Sequence, residues 1–217
     1  MTQKEILSMV DHTLLLQTAT WEEIKAICDD GIKYETASVC IPTCYVKQAK
    51  EYMGDKCKVC TVIGFPNGNY TTETKVFETK DALNKGAKEI DLVINVAALK
   101  NKNYDYVKNE IASIKEVVGN NVLKVIIETC LLTSDEIIKI TEICNEVNVD
   151  FIKTSTGFSE YGARVEDVEL INKYKKDNIG IKASGGVRTY DDAMNMINAG
   201  ATRIGTRNGV NIVNDEN

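Results

Sequence analysis

The sequence predicts an α/β protein folded as a single-domain (β/α)8 barrel of the TIM type over residues 1–217. Three observations carry that prediction. Short apolar runs alternate with amphipathic stretches eight times along the chain, and strict alternation of strand and helix means parallel strands joined by right-handed crossovers. No Gly-x-Gly-x-x-Gly follows the first strand, where a doubly wound nucleotide-binding sheet would carry one. Polar residues also recur on one parity of several strands while the other parity is apolar, as in strands with helices outside and a polar lumen inside. The chain is short for such a barrel, so its loops must be tight and its last helix brief.

The first strand falls at 9–13, and a helix follows from Thr20, where Glu23 three residues on makes a capping box. The second strand is 37–41, with Pro42 opening a helix that runs to Met53. The third is 59–65, ending in the turn-rich Gly64-Phe65-Pro66-Asn67-Gly68, and a helix over 72–85 carries Val76, Leu83 and aliphatic neighbours on one face. Strand 89–95 precedes a helix over 104–117, and strand 123–128 precedes one that starts at Thr133-Ser134-Asp135-Glu136 and ends near Val147. Strand 150–155, helix 165–174, strand 179–183, helix 189–198 and strand 203–206 complete the alternation, and a short terminal helix is expected after Val210.

Composition narrows the class. A hydrophobic content of 43% with 27% charged residues describes an ordinary soluble globular protein. The net charge of −6 argues against nonspecific nucleic-acid binding, yet permits an anionic substrate because the local field decides that. No apolar run approaches the ~18 residues of a membrane span. With 2 prolines against 14 glycines scattered along the chain, no flexible linker stands out. Of the seven cysteines, Cys57 and Cys60 have redox or zinc spacing, but no second such pair exists and His12 is the single histidine. Free thiols in a reducing cytoplasm, with no metal and no cofactor, are the expected state.

The strand parities put charge inside. Glu89, Asp91, Val93 and Asn95 share one side of their strand. Lys124, Ile126 and Glu128 share one side of theirs, as do Phe151, Lys153 and Ser155, and Gly180, Lys182 and Ser184. Lys153 ends an apolar run, where a core strand carries no lysine. From the residues alone two readings stand. One is a salt-bridged lumen made of Asp91, Lys124, Glu128, Lys153 and Lys182. The other is a working amine, since a lysine beside another cation in a partly dry site is pushed toward its neutral, nucleophilic form. The loops Ser184-Gly185-Gly186-Val187-Arg188 and Gly205-Thr206-Arg207-Asn208-Gly209 follow the seventh and eighth strands, the usual phosphate site of this fold. An amine beside a phosphate cradle suggests a phosphosugar carbonyl substrate.

The chain also resembles the class I, Schiff-base deoxyribose-phosphate aldolases over nearly its whole length. The resemblance rests on Asp11-His12-Thr13, Val62-Ile63-Gly64-Phe65-Pro66, Glu89-Ile90-Asp91, and Leu123 to Thr129. It rests above all on Asp150-Phe151-Ile152-Lys153-Thr154-Ser155-Thr156-Gly157 and Lys182-Ala183-Ser184-Gly185-Gly186-Val187-Arg188-Thr189. It implies reversible, metal-free cleavage of 2-deoxy-D-ribose 5-phosphate to acetaldehyde and D-glyceraldehyde 3-phosphate, in deoxyribose phosphate catabolism. By motif, Lys153 would form the Schiff base, Lys182 would supply the neighbouring charge, and Asp91 would shuttle protons with Lys182 and a water. Lys153 is then expected as a neutral amine, not half of a buried ion pair. Asp11 and Lys124 match further substrate-binding positions, and Gly157, Gly185 and Gly186 match phosphate-contacting backbone. Thr156 joins them, as do Arg207 and Asn208, which stand where the family usually has small hydroxyl residues. Small-molecule phosphosugar and aldehyde partners are implied, without nucleic acid or membrane. Barrels of this kind commonly dimerise, so a homodimer is the expected assembly. A Schiff-base lyase or transaldolase for another phosphosugar, and a non-catalytic phosphosugar-binding barrel, remain alternatives at this point.

Overall fold

Eight parallel strands close into a barrel in chain order, each hydrogen-bonded to the next and the last to the first, in a computed structural model that describes residues 1–210. They are β1 Val10–Thr13, β2 Ser38–Ile41, β3 Val59–Ile63, β4 Glu89–Val93, β5 Val122–Ile126, β6 Phe151–Lys153, β7 Gly180–Ser184 and β8 Arg203–Thr206. The helices are α1 Gln3–Leu7, α2 Trp21–Lys33, α3 Val46–Met53, α4 Thr72–Asn84, α5 Val96–Lys100, α6 Tyr104–Val118, α7 Ser134–Val147, α8 Val165–Tyr174 and α9 Tyr190–Asn198. The (β/α)8 architecture and all eight strand positions agree with the sequence reading. The terminal helix expected after Val210 lies outside the described residues.

The local signals act as expected at the helix starts. Thr20 and Glu23 form a reciprocal capping box at α2, as do Thr133 and Glu136 at α7. Two short helices, α1 and α5, go beyond the sequence reading; Thr2 with Glu5 caps the first and Asn95 caps the second. Helix α4 differs on its buried face. Lys75, Thr79 and Ala82 are buried there, while Val76 and Leu83 are only half-buried. The reason is an ion pair that the local pattern does not show: Lys75 Nζ donates to Glu110 Oε1 of α6 at 2.7 Å.

The outward parity of the strands, including Val39, Ile90, Leu92, Val125, Ile152, Ile181 and Ile204, is fully buried beneath the helices and forms the apolar core. The inward parity stacks in layers drawn from alternate strands, as the tilt of a closed barrel requires. Ladder register puts Ser38, Glu89, Phe151 and Arg203 lowest, then Asp11, Cys60, Lys124 and Lys182, then Cys40, Asp91, Lys153 and Gly205. Glycines open two places in this stack. A Cβ on Gly180 would strike the Phe151 ring, and one on Gly205 would lie 2.8 Å from Lys182 Cε.

Candidate active site

Asp91 is the hub of the lumen. Its Oδ2 accepts from Lys153 Nζ at 2.8 Å and from Lys182 Nζ at 2.7 Å, and its Oδ1 accepts from Lys124 Nζ at 2.9 Å and from the Cys60 thiol at 3.2 Å. One layer down, Asp11 Oδ2 lies 2.6 Å from Lys182 Nζ, an ion-pair contact and not a well-angled hydrogen bond. Asp11 Oδ1 accepts from Ser38 Oγ at 2.7 Å and from Arg203 Nη1 at 2.7 Å. Glu89 Oε2 sits 2.6 Å from Lys124 Nζ and 3.0 Å from Arg203 Nη1.

The charges in this stack sustain one another. Burial by itself would push Asp91 up, but Lys124, Lys153 and Lys182 outweigh it and hold the carboxyl well below its usual range. Asp11 is likewise lowered, by Lys124, Lys182 and Arg203 against burial. Burial would strip Lys124 and Lys182 of their protons, yet Asp11 and Asp91 outweigh it, and both stay raised above the ordinary lysine value. Such a lumen survives because every charge in it contacts at least one of opposite sign.

Above the stack opens a cavity of about 290 Å³. Lys153, Thr156, Gly157, Gly185, Gly186, Arg207 and Asn208 all line it, so seven of the sequence-selected residues meet there. Asp91, Lys182, Asp11 and Lys124 are fully buried and do not line it. Lys153 is therefore the amine of the cluster that reaches the cavity wall. Asp11 and Lys124, read as substrate-binding, lie in the same layer as Lys182, below Lys153, and pair there with other charges. Lys153 does not stand apart from the carboxylates: its Nζ lies 2.8 Å from Asp91 Oδ2. Layering puts Lys153 and Asp91 at one height on β6 and β4, so the amine contacts the carboxylate across the lumen.

The rim is built for close approach. Gly157, Gly185 and Gly186 have φ of 85°, 79° and 81°, which side-chain-bearing residues rarely adopt. Their backbone can thus face the cavity at the carboxyl ends of β6 and β7. Arg188 and Arg207, both exposed, add positive charge to the lining. Ser184 Oγ is buried in the same wall without a hydrogen-bond partner. Glu128, assigned by parity to the charged lumen, instead turns away at φ 54° and accepts from Thr156 N at 3.0 Å and Thr156 Oγ1 at 2.5 Å. It fixes the loop that carries Gly157. Next along the same loop, Phe158 meets Phe65 edge-on at 5.2 Å between ring centroids.

Sequence reasoning missed Arg203, Cys60 and Ser38, and gave Glu89 no role. The available signal was parity: Arg203 is a charged residue on the inward side of a short strand. Cys57 and Cys60 do not act as a pair. Cys57 Sγ lies 3.9 Å from Thr36 Oγ1 and Cys60 Sγ lies against Asp91, and all seven cysteines are free. Cys40 is buried beneath the cavity and does not line it. Cys40–Cys60–Asp91 and Asp11–Cys60–Glu89 bring possible metal-ligating atoms together, but their carboxylates are the ones already matched to lysines.

Comparison with known proteins agrees with this geometry. A family model for the DeoC/LacD aldolases matches residues 6–214. The chain belongs to the DeoC/LacD aldolase family. A deoxyribose-phosphate aldolase of Clostridium botulinum is 52% identical over 216 residues, covering 100% of this chain and 98% of that protein. One from Clostridioides difficile is 52% identical over 213 residues, covering 98% and 97%. Among solved structures, the tetrameric deoxyribose phosphate aldolase of Aeropyrum pernix superposes with a TM-score of 0.91 at 29% identity, covering 98% of this chain and 91% of that one. As a member of this family the chain is an aldolase, a lyase of carbon–carbon bonds. No helix among the described residues is long and apolar enough to cross a membrane.

Proposed function

We propose that residues 1–217 act as one catalytic domain that reversibly cleaves 2-deoxy-D-ribose 5-phosphate to D-glyceraldehyde 3-phosphate and acetaldehyde. The reaction runs through a Schiff base on Lys153 and serves the breakdown of deoxyribose phosphate. The observation that carries this reading is that Lys153 lines the cavity while its Nζ shares Asp91 Oδ2 with Lys182. The glycine rim and the two arginines beside it suit a phosphate at the far end of a short sugar.

The chemistry follows from those contacts. Lys153 passes its proton to the Asp91–Lys182 pair, directly or through water, and its lone pair attacks the substrate's C1 carbonyl carbon. Loss of hydroxide as water leaves an iminium. As a base takes the proton from the C3 hydroxyl, the C2–C3 electron pair moves toward the iminium nitrogen. Glyceraldehyde 3-phosphate departs and an enamine remains on Lys153. Protonation of that enamine at C2 and addition of water release acetaldehyde and restore the amine. Asp91 and Lys182 are suited to the proton transfers because their bridge is already formed and needs little reorganisation.

The test is reductive trapping with acetaldehyde, followed by peptide mass spectrometry. A two-carbon adduct on Lys153 is expected, and Lys153→Leu should stay folded while losing essentially all turnover. A folded protein that gives no adduct, or a Lys153→Leu variant that still cleaves, defeats the reading. We further propose a cytoplasmic location, where the seven free cysteines stay reduced, and a homodimer as the assembly.

A further inference from the structure

The lumen contains more positive than negative charge. Three carboxylates, Asp11, Glu89 and Asp91, contact four cationic side chains, Lys124, Lys153, Lys182 and Arg203. The other strands add only Ser38 and Cys40 from β2, Cys60 from β3 and the Phe151 ring from β6. At the foot of the barrel Lys58, exposed, reaches within 4.0 Å of Glu89 Oε1. With every amine protonated and the Cys40 and Cys60 thiols neutral, the enclosed cluster carries one excess positive charge, and with one amine free it is neutral. The Cys60 thiol is pushed up by burial, whereas a hydrogen bond with Cys60 draws Cys40 down against burial.

Which amine gives up its proton is decided by contacts. Lys124 Nζ lies within 3.3 Å of three carboxylates, and Lys182 Nζ lies within 2.7 Å of two. Lys153 has one carboxylate oxygen, shared with Lys182, and opens to the cavity. Of the three amines it has the fewest carboxylate contacts. The excess charge that drives the choice comes from Arg203, which cannot be discharged at any ordinary pH. Its guanidinium bridges Asp11 and Glu89 through Nη1 at 2.7 and 3.0 Å, and lies over the Phe151 ring, 4.9 Å from its centroid. A lysine-only lumen would balance three against three with every amine charged, leaving no electrostatic reason to free one.

Resting on the Schiff-base reading above, we propose that Arg203 is a positioning residue for that step. From the floor of the barrel it occupies Asp11 and Glu89, so that Lys153 is the amine left to react. It does not touch substrate. Replacing it with a neutral residue makes the fully protonated cluster neutral, so Lys153 should hold its proton more firmly. Removing a carboxylate that faces Arg203 does the reverse.

The test is the pH profile of acetaldehyde trapping on Lys153 by cyanoborohydride, in the wild type and in Arg203→Met, Arg203→Lys and Glu89→Gln. Arg203→Met should move the acid limb of the profile up by about one pH unit. That is about a tenfold slower reaction at a fixed pH on that limb. Arg203→Lys keeps the charge and should leave the limb in place, and Glu89→Gln should move it down. A uniform loss in Arg203→Met with the limb unmoved would mark a merely structural role and overturn the proposal. Shifts of the same sign in Arg203→Met and Glu89→Gln would also overturn it. If circular dichroism shows Arg203→Met unfolded, Glu89→Gln decides: a downward shift supports the proposal and an unmoved limb overturns it. Absence of any adduct in the folded wild type would defeat the Schiff-base reading itself, before any variant is compared.

Discussion

Lys75→Met should cost this protein a large part of its stability, by an amount that depends on pH. Lys75 is fully buried, its Nζ donating to Glu110 Oε1 at 2.7 Å and to Val93 O at 2.9 Å. Glu110 Oε2 accepts from Asn95 N at 3.0 Å. Burial lowers Lys75 and raises Glu110, in each case against the pull of the partner's charge. Methionine fills a similar volume without the ammonium and strands the carboxylate, a loss of about 3–5 kcal/mol set against a total of about 5–15 kcal/mol.

The pH dependence has a definite sign. The folded pKa of Glu110 is already above its unfolded value and climbs further without Lys75, so protonation relieves the variant. The penalty should therefore be larger at pH 8 than at pH 5, measured by urea unfolding followed by circular dichroism. A loss below about 1 kcal/mol at pH 8, smaller than an unpaired buried charge permits, would refute the reasoning. So would equal losses at the two pH values. Adding Glu110→Leu should restore only part of the stability, because the Val93 carbonyl and the Asn95 N–H then lose their partners. The effect should also reach the cavity. Lys75 Cε lies where a Cβ on Gly64 would come within 2.8 Å, and Gly64 N–H donates to Glu78 Oε2 at 2.8 Å. That loop carries Phe65, the edge-on partner of Phe158.

Other perturbations separate stability from chemistry. Gly205→Ala adds a Cβ 2.1 Å from Ser184 Oγ and 2.8 Å from Lys182 Cε, and on the proposed mechanism a displacement of about 1 Å at Lys182 costs about a hundredfold in rate. Steady-state kinetics on the folded variant should show that loss in kcat/KM, and unchanged kinetics would mean that neither Ser184 nor Lys182 needs its present position. Asp11 and Asp91 are both held below their unfolded values, so they add stability at neutral pH that fades as the pH falls below about 4 toward their lowered folded values. Urea midpoints should drop between pH 6 and pH 3; equal midpoints would count against a charged lumen.

Much of the site was legible in the sequence because strand parity is a local property of the pleated backbone. Period-two alternation marked Asp91, Lys124, Lys153 and Lys182 as inward-facing, and paired glycines marked the rim at 185–186. Capping boxes at Thr20 and Thr133 located two helix starts from four residues each. The pairing of Lys75 with Glu110 was not legible, because its partners are 35 residues apart on different helices. Nor was the turn at Glu128, where a left-handed backbone takes the side chain out of the alternation that parity assumes.

The sequence by itself determined the barrel, most of its inward-facing charges and the glycine-rich loops after the seventh and eighth strands. Depth was decided only by the tertiary structure. Height in a barrel lumen depends on strand tilt and on the stagger of each ladder, and these are set by closure of all eight strands together. Closure puts Lys153 at the cavity floor, sinks Asp11, Lys124 and Lys182 one layer below it, and brings Arg203 against Asp11 and Glu89. The resulting contacts distinguish three lysines that look alike in the sequence.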